Sequence, residues 1–176
     1  MQIVHPGPII DQVLRLIQAN QGTSASGAIK TVLDSQTWTL PTEIAYITDL
    51  APVGQFEKDL DARIATRPCV TATAQTQFAD PRSNEGANVV HRITVECWIS
   101  DANRGVKMAQ AYLYGQLLHL IFTELASPSD LTTGVTNLMA LWLRPQELRY
   151  GAFELNDRRA FEGGVVFAFD VGCLSR

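Results

Sequence analysis

Between Val89 and Ala126 the apolar residues change their spacing once, and that change limits the fold more than any other feature of the chain. In Val89-Val90-His91-Arg92-Ile93-Thr94-Val95-Glu96-Cys97-Trp98-Ile99, the residues Ile93, Val95, Cys97 and Ile99 alternate with Arg92, Thr94 and Glu96. A period of two marks an antiparallel strand with one dry face. His91 is assigned here to the face opposite the apolar set. Ser100 and Asp101 offer capping oxygens. From about Asn103 the apolar residues Val106, Ala109, Leu113, Leu117, Leu120, Ile121 and Leu125 follow a helical stripe. Ser127-Pro128-Ser129 ends it, because proline cannot continue the hydrogen-bond ladder and restricts the residue before it. At about 1.5 Å per residue the helix is on the order of 35 Å long. A helix of that size needs a sheet or a bundle to cover its stripe.

The remaining segments supply a sheet. Pro8 to Asn20 reads as a short amphipathic helix, with Ile9, Ile10, Val13, Leu14 and Ile17 on one face. Gly22 to Gly27 is a connector by composition, Ala28 to Leu33 a second short helix, and Trp38 to Ile47 an extended segment interrupted by Pro41. Ala51-Pro52-Val53-Gly54 is expected to turn. Gln55 to Thr66 places Phe56, Leu60 and Ile64 on one helical face, and Pro68 closes it. Cys69 to Phe78, rich in threonine and valine, is a strand. The polar run between Phe78 and Val89 is too long for a tight turn, which predicts a hairpin rising into an exposed arm over 79–88. Val135 to Arg144 fits a strand or a buried helix. Its shortness and its flanks, Gly134 and Pro145, favour a strand over part of it. Leu148 to Leu155 is a further edge segment. Gly163 to Val171 is a strand with Val165, Phe167, Phe169 and Val171 on one face. The expected fold is a single α+β domain over 1–176. One antiparallel sheet carries the long helix on one face, helped by the short N-terminal helix, with the hairpin arm protruding and 22–54 an insertion or connector.

Composition narrows the function. With 176 residues, 46% apolar and 18% charged, the chain can bury a core without staples. A net charge of −4 supplies no broad basic surface for gripping nucleic acid. Met1 to Pro8 has no lysine or arginine ahead of an apolar core, and no apolar run reaches membrane length, so neither a signal peptide nor a membrane span is expected. Cys69, Cys97 and Cys173 are far apart without a C-x-x-C, which points to a reducing compartment and buried, unreactive thiols.

Chemistry is sparse. His5 lies in the N-terminal tail, His91 on the strand and His119 on the long helix, none with a second His or Cys at metal-ligand spacing. There is no P-loop, no G-x-G-x-x-G and no G-x-S-x-G. Asp49, Asp59, Asp61, Asp80 and Glu85 are scattered over segments expected to be solvated. No catalytic residue, cofactor site or metal site is assigned. Asn156-Asp157-Arg158-Arg159-Ala160-Phe161-Glu162-Gly163-Gly164 stands out, because paired arginines and an aromatic are what protein interfaces favour; a plain polar turn is the other reading.

Three features together resemble the tail-terminator (tail-completion, or neck) proteins of long-tailed bacteriophages. They are the strand ending in Val95-Glu96-Cys97-Trp98-Ile99 that runs into the long helix, Leu141-Trp142-Leu143-Arg144 followed by Tyr150, and the segment Asp157 to Phe167 leading into the last strand. The second half of the chain carries most of the likeness. The resemblance implies a structural virion protein and no enzyme. Such proteins assemble in the host cytoplasm into a homo-oligomeric ring, commonly hexameric, on the last ring of the tail tube. There the ring stops tube polymerisation and docks the head-completion or connector protein. DNA passes through the lumen without specific binding, no membrane is involved, and a weakly acidic wall would repel phosphate. Closed cyclic symmetry requires two different patches per subunit. The candidates are the polar arm (Asp80, Arg82, Asn84, Glu85) and the turn carrying Arg158, Arg159 and Phe161. Another head–tail joining or tail-tube-like virion protein, a cytosolic enzyme and a ligand-binding domain are the alternatives.

Overall fold

The computed structural model describes residues 5–20, 51–53, 69–99, 104–153 and 162–175, with backbone alone at 51–53, 69, 98–99, 104–110, 152–153 and 162–163. The expected elements within 22–47 and 55–66 lie outside the described residues.

The sheet is built on β3 (Val89–Ile99), which is flanked by β2 (Cys69–Phe78) and β5 (Glu162–Ser175). Both pairings are antiparallel and run the full length of β3, from Val89↔Phe78 and Val89↔Cys173 to Cys69↔Trp98 and Ile99↔Gly163. β4 (Leu138–Phe153) pairs antiparallel with the far side of β5. The short strand β1 (Ala51–Val53) adds parallel to β2 and completes the order β1-β2-β3-β5-β4. The turn expected over Ala51–Gly54 is therefore corrected at Ala51–Val53. Pro52 is tolerated because β1 is an edge strand among the described residues, where a missing N–H breaks no ladder on its open side.

One face of this sheet is dry. Val70 and Ala72 of β2, Ile93, Val95 and Cys97 of β3, and Val165, Phe167, Phe169, Val171 and Cys173 of β5 are all buried. Helix α1 (Gly7–Ala19) buries Ile9, Ile10, Val13 and Ile17 of the stripe expected of it, and Leu14 of that stripe is partly buried. Its first turn is built on Pro6, whose carbonyl accepts from the Ile9 and Ile10 N–H groups, and the Gly7 N–H donates to Nδ1 of His5. At its end the Asn20 side chain donates to the Leu16 carbonyl.

Helix α2 (Arg104–Leu120) continues into a π-helical turn (Ile121–Leu125), where the Ala126 N–H reaches back to the Ile121 carbonyl. Its buried side chains are Ala111, Tyr114, Leu117, Leu118, Leu120, Ile121 and Phe122, while Leu113 and Leu125 are only partly buried. The stripe is rotated from the expected one because Phe122 is drawn into the sheet. Its ring stacks on Phe169 at 4.6 Å and on Phe167 at 5.9 Å between centroids. A capping box between Ser127 and Asp130 then starts the 3-10 turn Pro128–Thr132.

β4 joins two segments that read separately in the sequence. Register shifts between Ala140 and Trp142 and between Pro145 and Glu147 each move its inward set by one residue. Leu138 and Ala140 therefore face the core, then Leu143, then Leu148 and Tyr150. Pro145 is accommodated because β4 is an edge strand among the described residues.

The opposite face is mixed: Val166 and Ala168 of β5 are buried there, in register with Glu96 and Thr94 of β3. Arg92 and Asp170 form a bidentate pair at 2.9 and 3.1 Å across β3 and β5. Trp142 lies over Gly172, where a Cβ would fall inside the indole. Gly172→Ala should displace that ring and lower unfolding free energy by about 1–3 kcal/mol. A urea melt monitored by tryptophan fluorescence checks this, and an unchanged midpoint would mean that the indole is not held there.

Candidate assembly surface

The first predicted patch is the connection 79–88 at the tip of the β2–β3 hairpin. Asp80 accepts the Arg82 N–H at Oδ1 (2.9 Å), and the Ser83 N–H donates to the Asp80 carbonyl at 3.1 Å. The Gly86 N–H reaches the Pro81 carbonyl at 2.9 Å. The turn needs left-handed backbone at Glu85 (φ 51°) and Gly86 (φ 84°). Glycine adopts that geometry freely, and glutamate does so at some strain.

Asp80, Arg82 and Glu85 are exposed, as an arm would be, but the second half of the connection is tied to the sheet. Asn88 exchanges hydrogen bonds with the Ser175 backbone through its Oδ1 (2.8 Å) and Nδ2 (3.0 Å). Nε1 of Trp142 donates to the Asn84 carbonyl at 3.4 Å. Glu85 pairs with Arg144, and the Arg144 guanidinium lies 4.6 Å from the centroid of the Trp142 ring. Gly172, Trp142, Arg144 and Glu85 thus form a stack that bolts the connection to β4 and β5. Sequence reasoning quoted Trp142 and Arg144 as a motif without seeing this use for them. Two register shifts in β4 hide which face Trp142 takes.

Of the second predicted patch, Arg158, Arg159 and Phe161 lie outside the described residues. The strand ends that flank it, Phe153 and Glu162, pair with each other at the end of the sheet opposite the 79–88 connection. At the same end Tyr150, paired with Val165, meets Tyr112 of α2 edge-on at 4.9 Å between centroids. Gly115 lets this happen, since a Cβ there would strike the Tyr150 ring. Burial raises the Tyr150 phenol above its ordinary pKa, with a smaller contribution from Tyr112. Sequence reasoning also passed over Phe78 and Tyr112, which are large, apolar and mostly exposed.

His91 requires a correction. It shares parity with Ile93, Val95 and Cys97, so its side chain lies on the dry face and is fully buried. Nδ1 is 2.9 Å from the Thr76 hydroxyl, while Nε2 is buried without a hydrogen-bond partner. Burial lowers its pKa from 6.5 to about 4, so the ring is neutral at pH 7. Burial likewise pushes the Cys173 thiol up to about 12, and Cys97 is also buried, as expected of these two cysteines.

Among the described residues no group of three or more His, Cys, Asp or Glu is assembled that could hold a metal ion, and no helix is long and apolar enough to cross a membrane. Of the scattered carboxylates, Asp80 and Glu85 are described; one is engaged in its own turn and the other with Arg144.

The buried histidine gives a pH prediction. The unfolded chain takes up a proton near pH 6.5 and the folded chain only near pH 4, so the unfolded state holds more protons in between. Stability should therefore fall as pH drops through that window, and His91→Gln should show a shallower fall. Parallel urea titrations at pH 7, 5.5 and 4.5 compare the two. Equal pH slopes would mean that His91 titrates normally in the folded protein.

Compared with protein-family models and with curated proteins, the chain matches none.

Proposed function

We propose that this chain is a structural virion protein of the tail-terminator type. It forms a ring that caps a phage tail tube, stops its polymerisation and joins the tail to the head connector. The observation that carries this reading is the separation of two unlike surfaces along one sheet. The 79–88 connection lies at one end, and the pair Phe153–Glu162, which brackets Arg158, Arg159 and Phe161, lies at the other. Eleven or so strand residues, from Glu162 to Cys173, at about 3.3 Å each separate the ends by roughly 35 Å. A ring closed by rotation needs two different patches on each subunit, and opposite ends of a stiff sheet suit that geometry.

The candidate residues act by contact and not by catalysis. Asp80, Arg82, Asn84 and Glu85 sit on a connection that is tied down before any partner arrives, so binding does not have to order the whole segment. Arginine and an aromatic ring, which the sequence carries between Phe153 and Glu162, are the side chains that interfaces use as anchors. The net charge of −4 is compatible with a lumen that lets DNA pass without holding it.

The test joins mass photometry to electron microscopy with and without tail tubes. A closed ring in solution, or a monomer that becomes a ring only on tube ends, is the expected result. Long tubes of the purified protein would favour a tail-tube-like part, and a stable monomer indifferent to tubes would sink the reading. Arg158→Glu combined with Arg159→Glu should leave the monomer folded and abolish ring formation. Full rings from that double variant would count against the second patch.

A further inference from the structure

The exposed aromatic residues of the described chain are not spread evenly. Phe78 is 73% exposed and sits at the last paired position of β2, directly before the 79–88 connection. Tyr112 is 52% exposed and stands over Tyr150 at the other end of the sheet. Each is held on rigid scaffold. Phe78 is registered with Val89, and the Ala79 N–H donates to the Asn88 carbonyl at 3.0 Å just beyond it. Tyr112 lies on α2, and Tyr150 is wedged against Gly115. Single exposed apolar side chains are ordinary on protein surfaces. Here the two ends differ in chemistry and complement each other. One end presents an exposed phenyl ring and, four residues further on, the exposed Arg82. The other presents the exposed Tyr112, edge-on to the partly buried Tyr150, and an electron-rich aromatic face suits a guanidinium.

The geometry points to a head-to-tail contact between copies of this chain, in which Phe78 and Arg82 of one copy seat on Tyr112 and Tyr150 of the next. This inference rests on the reading of the chain as a ring-forming protein and names the contact that closes the ring. The occupant is a second copy because one chain carries both halves, roughly 25 Å apart along the strands, too far to meet within one molecule. A like-with-like dimer would oppose Arg82 to Arg82 at one end and leave the tyrosines uncovered at the other.

Complementation between two disabled chains tests it. Phe78→Ser with Arg82→Glu removes the donor end, and Tyr112→Ala removes the receiving end. All three positions are solvent-exposed, and matching thermal melts confirm folding. Arg82→Glu alone, which touches no packed residue of the sheet, is the second donor-end variant. By analytical ultracentrifugation each variant should self-associate on the order of tenfold or more weakly than the wild type. An equimolar mixture of donor-dead and receiver-dead chains should form dimers and nothing larger, because each pair retains one intact contact. Wild-type assembly in both variants, or a mixture no larger than its separate components, overturns the inference, as does a wild-type chain that stays monomeric up to its solubility limit and forms no ring on tube ends. Chains that associate through these ends yet fail to cap tail tubes would leave the contact standing and remove the terminator reading.

Discussion

The pairing of β3 with β5 along its whole length is the interaction on which the rest of the structure depends. It sets Ile93, Val95 and Cys97 beside Phe169, Phe167 and Val165 and makes one continuous apolar floor. Phe122 then stacks on both phenylalanines, so α2 is located by an aromatic contact at its C-terminal end as well as by its stripe. Burying each of these rings stabilises the fold by about 1.5–3 kcal/mol. The π-helical turn that follows Leu120 carries Phe122 into that position. A one-residue slip of β5 would send Phe167 and Phe169 to the opposite face, so the register is strongly specified.

A sheet dry on one side leaves its ends and its other face for other work. The outer face is occupied by charge pairs that satisfy each other, Arg92 with Asp170 and Arg149 with Glu147. Ion pairs at a protein surface add little stability. The ends are different. At one, the stack of Trp142 on Gly172 and Arg144 on Trp142 holds the 79–88 connection in a single shape. At the other, close approach at Gly115 holds the tyrosine pair. In both places a glycine without a Cβ admits an aromatic ring, and the ring then fixes a surface feature.

Much of this was legible in the residues, for identifiable reasons. The strands β3 and β5 and the helix α1 announce themselves by periodicity and β2 by its threonine and valine content, while α2 reads as a helix whose buried stripe is rotated from the periodic one, and both Pro8 and Pro128 fall where the helix boundaries need them. β4 did not read as one strand because two bulges scramble its alternation, so Leu138, Leu143 and Leu148 belong to one face despite their spacing. β1 was invisible because three residues around a proline carry no period, and only the neighbouring β2 makes them a strand. The misplacement of His91 came from treating a polar ring as outward-facing, when its parity with Ile93 already put it inside. Asp80, Arg82, Asn84 and Glu85 were recognisable as a polar connection, but its anchoring through Trp142 and Asn88 depends on contacts between residues far apart in the chain.

The account holds that the ends of the sheet, and not its outer face, carry the assembly. Hydrogen exchange measured on the free chain and on its assembled form addresses that claim most directly. New protection confined to the backbone around 78–86 and around Tyr112 and Tyr150, with β3 and β5 protected equally in both states, is the predicted result. New protection along the outward-facing strand β4 from Arg144 to Arg149, with the two ends unchanged, would contradict it.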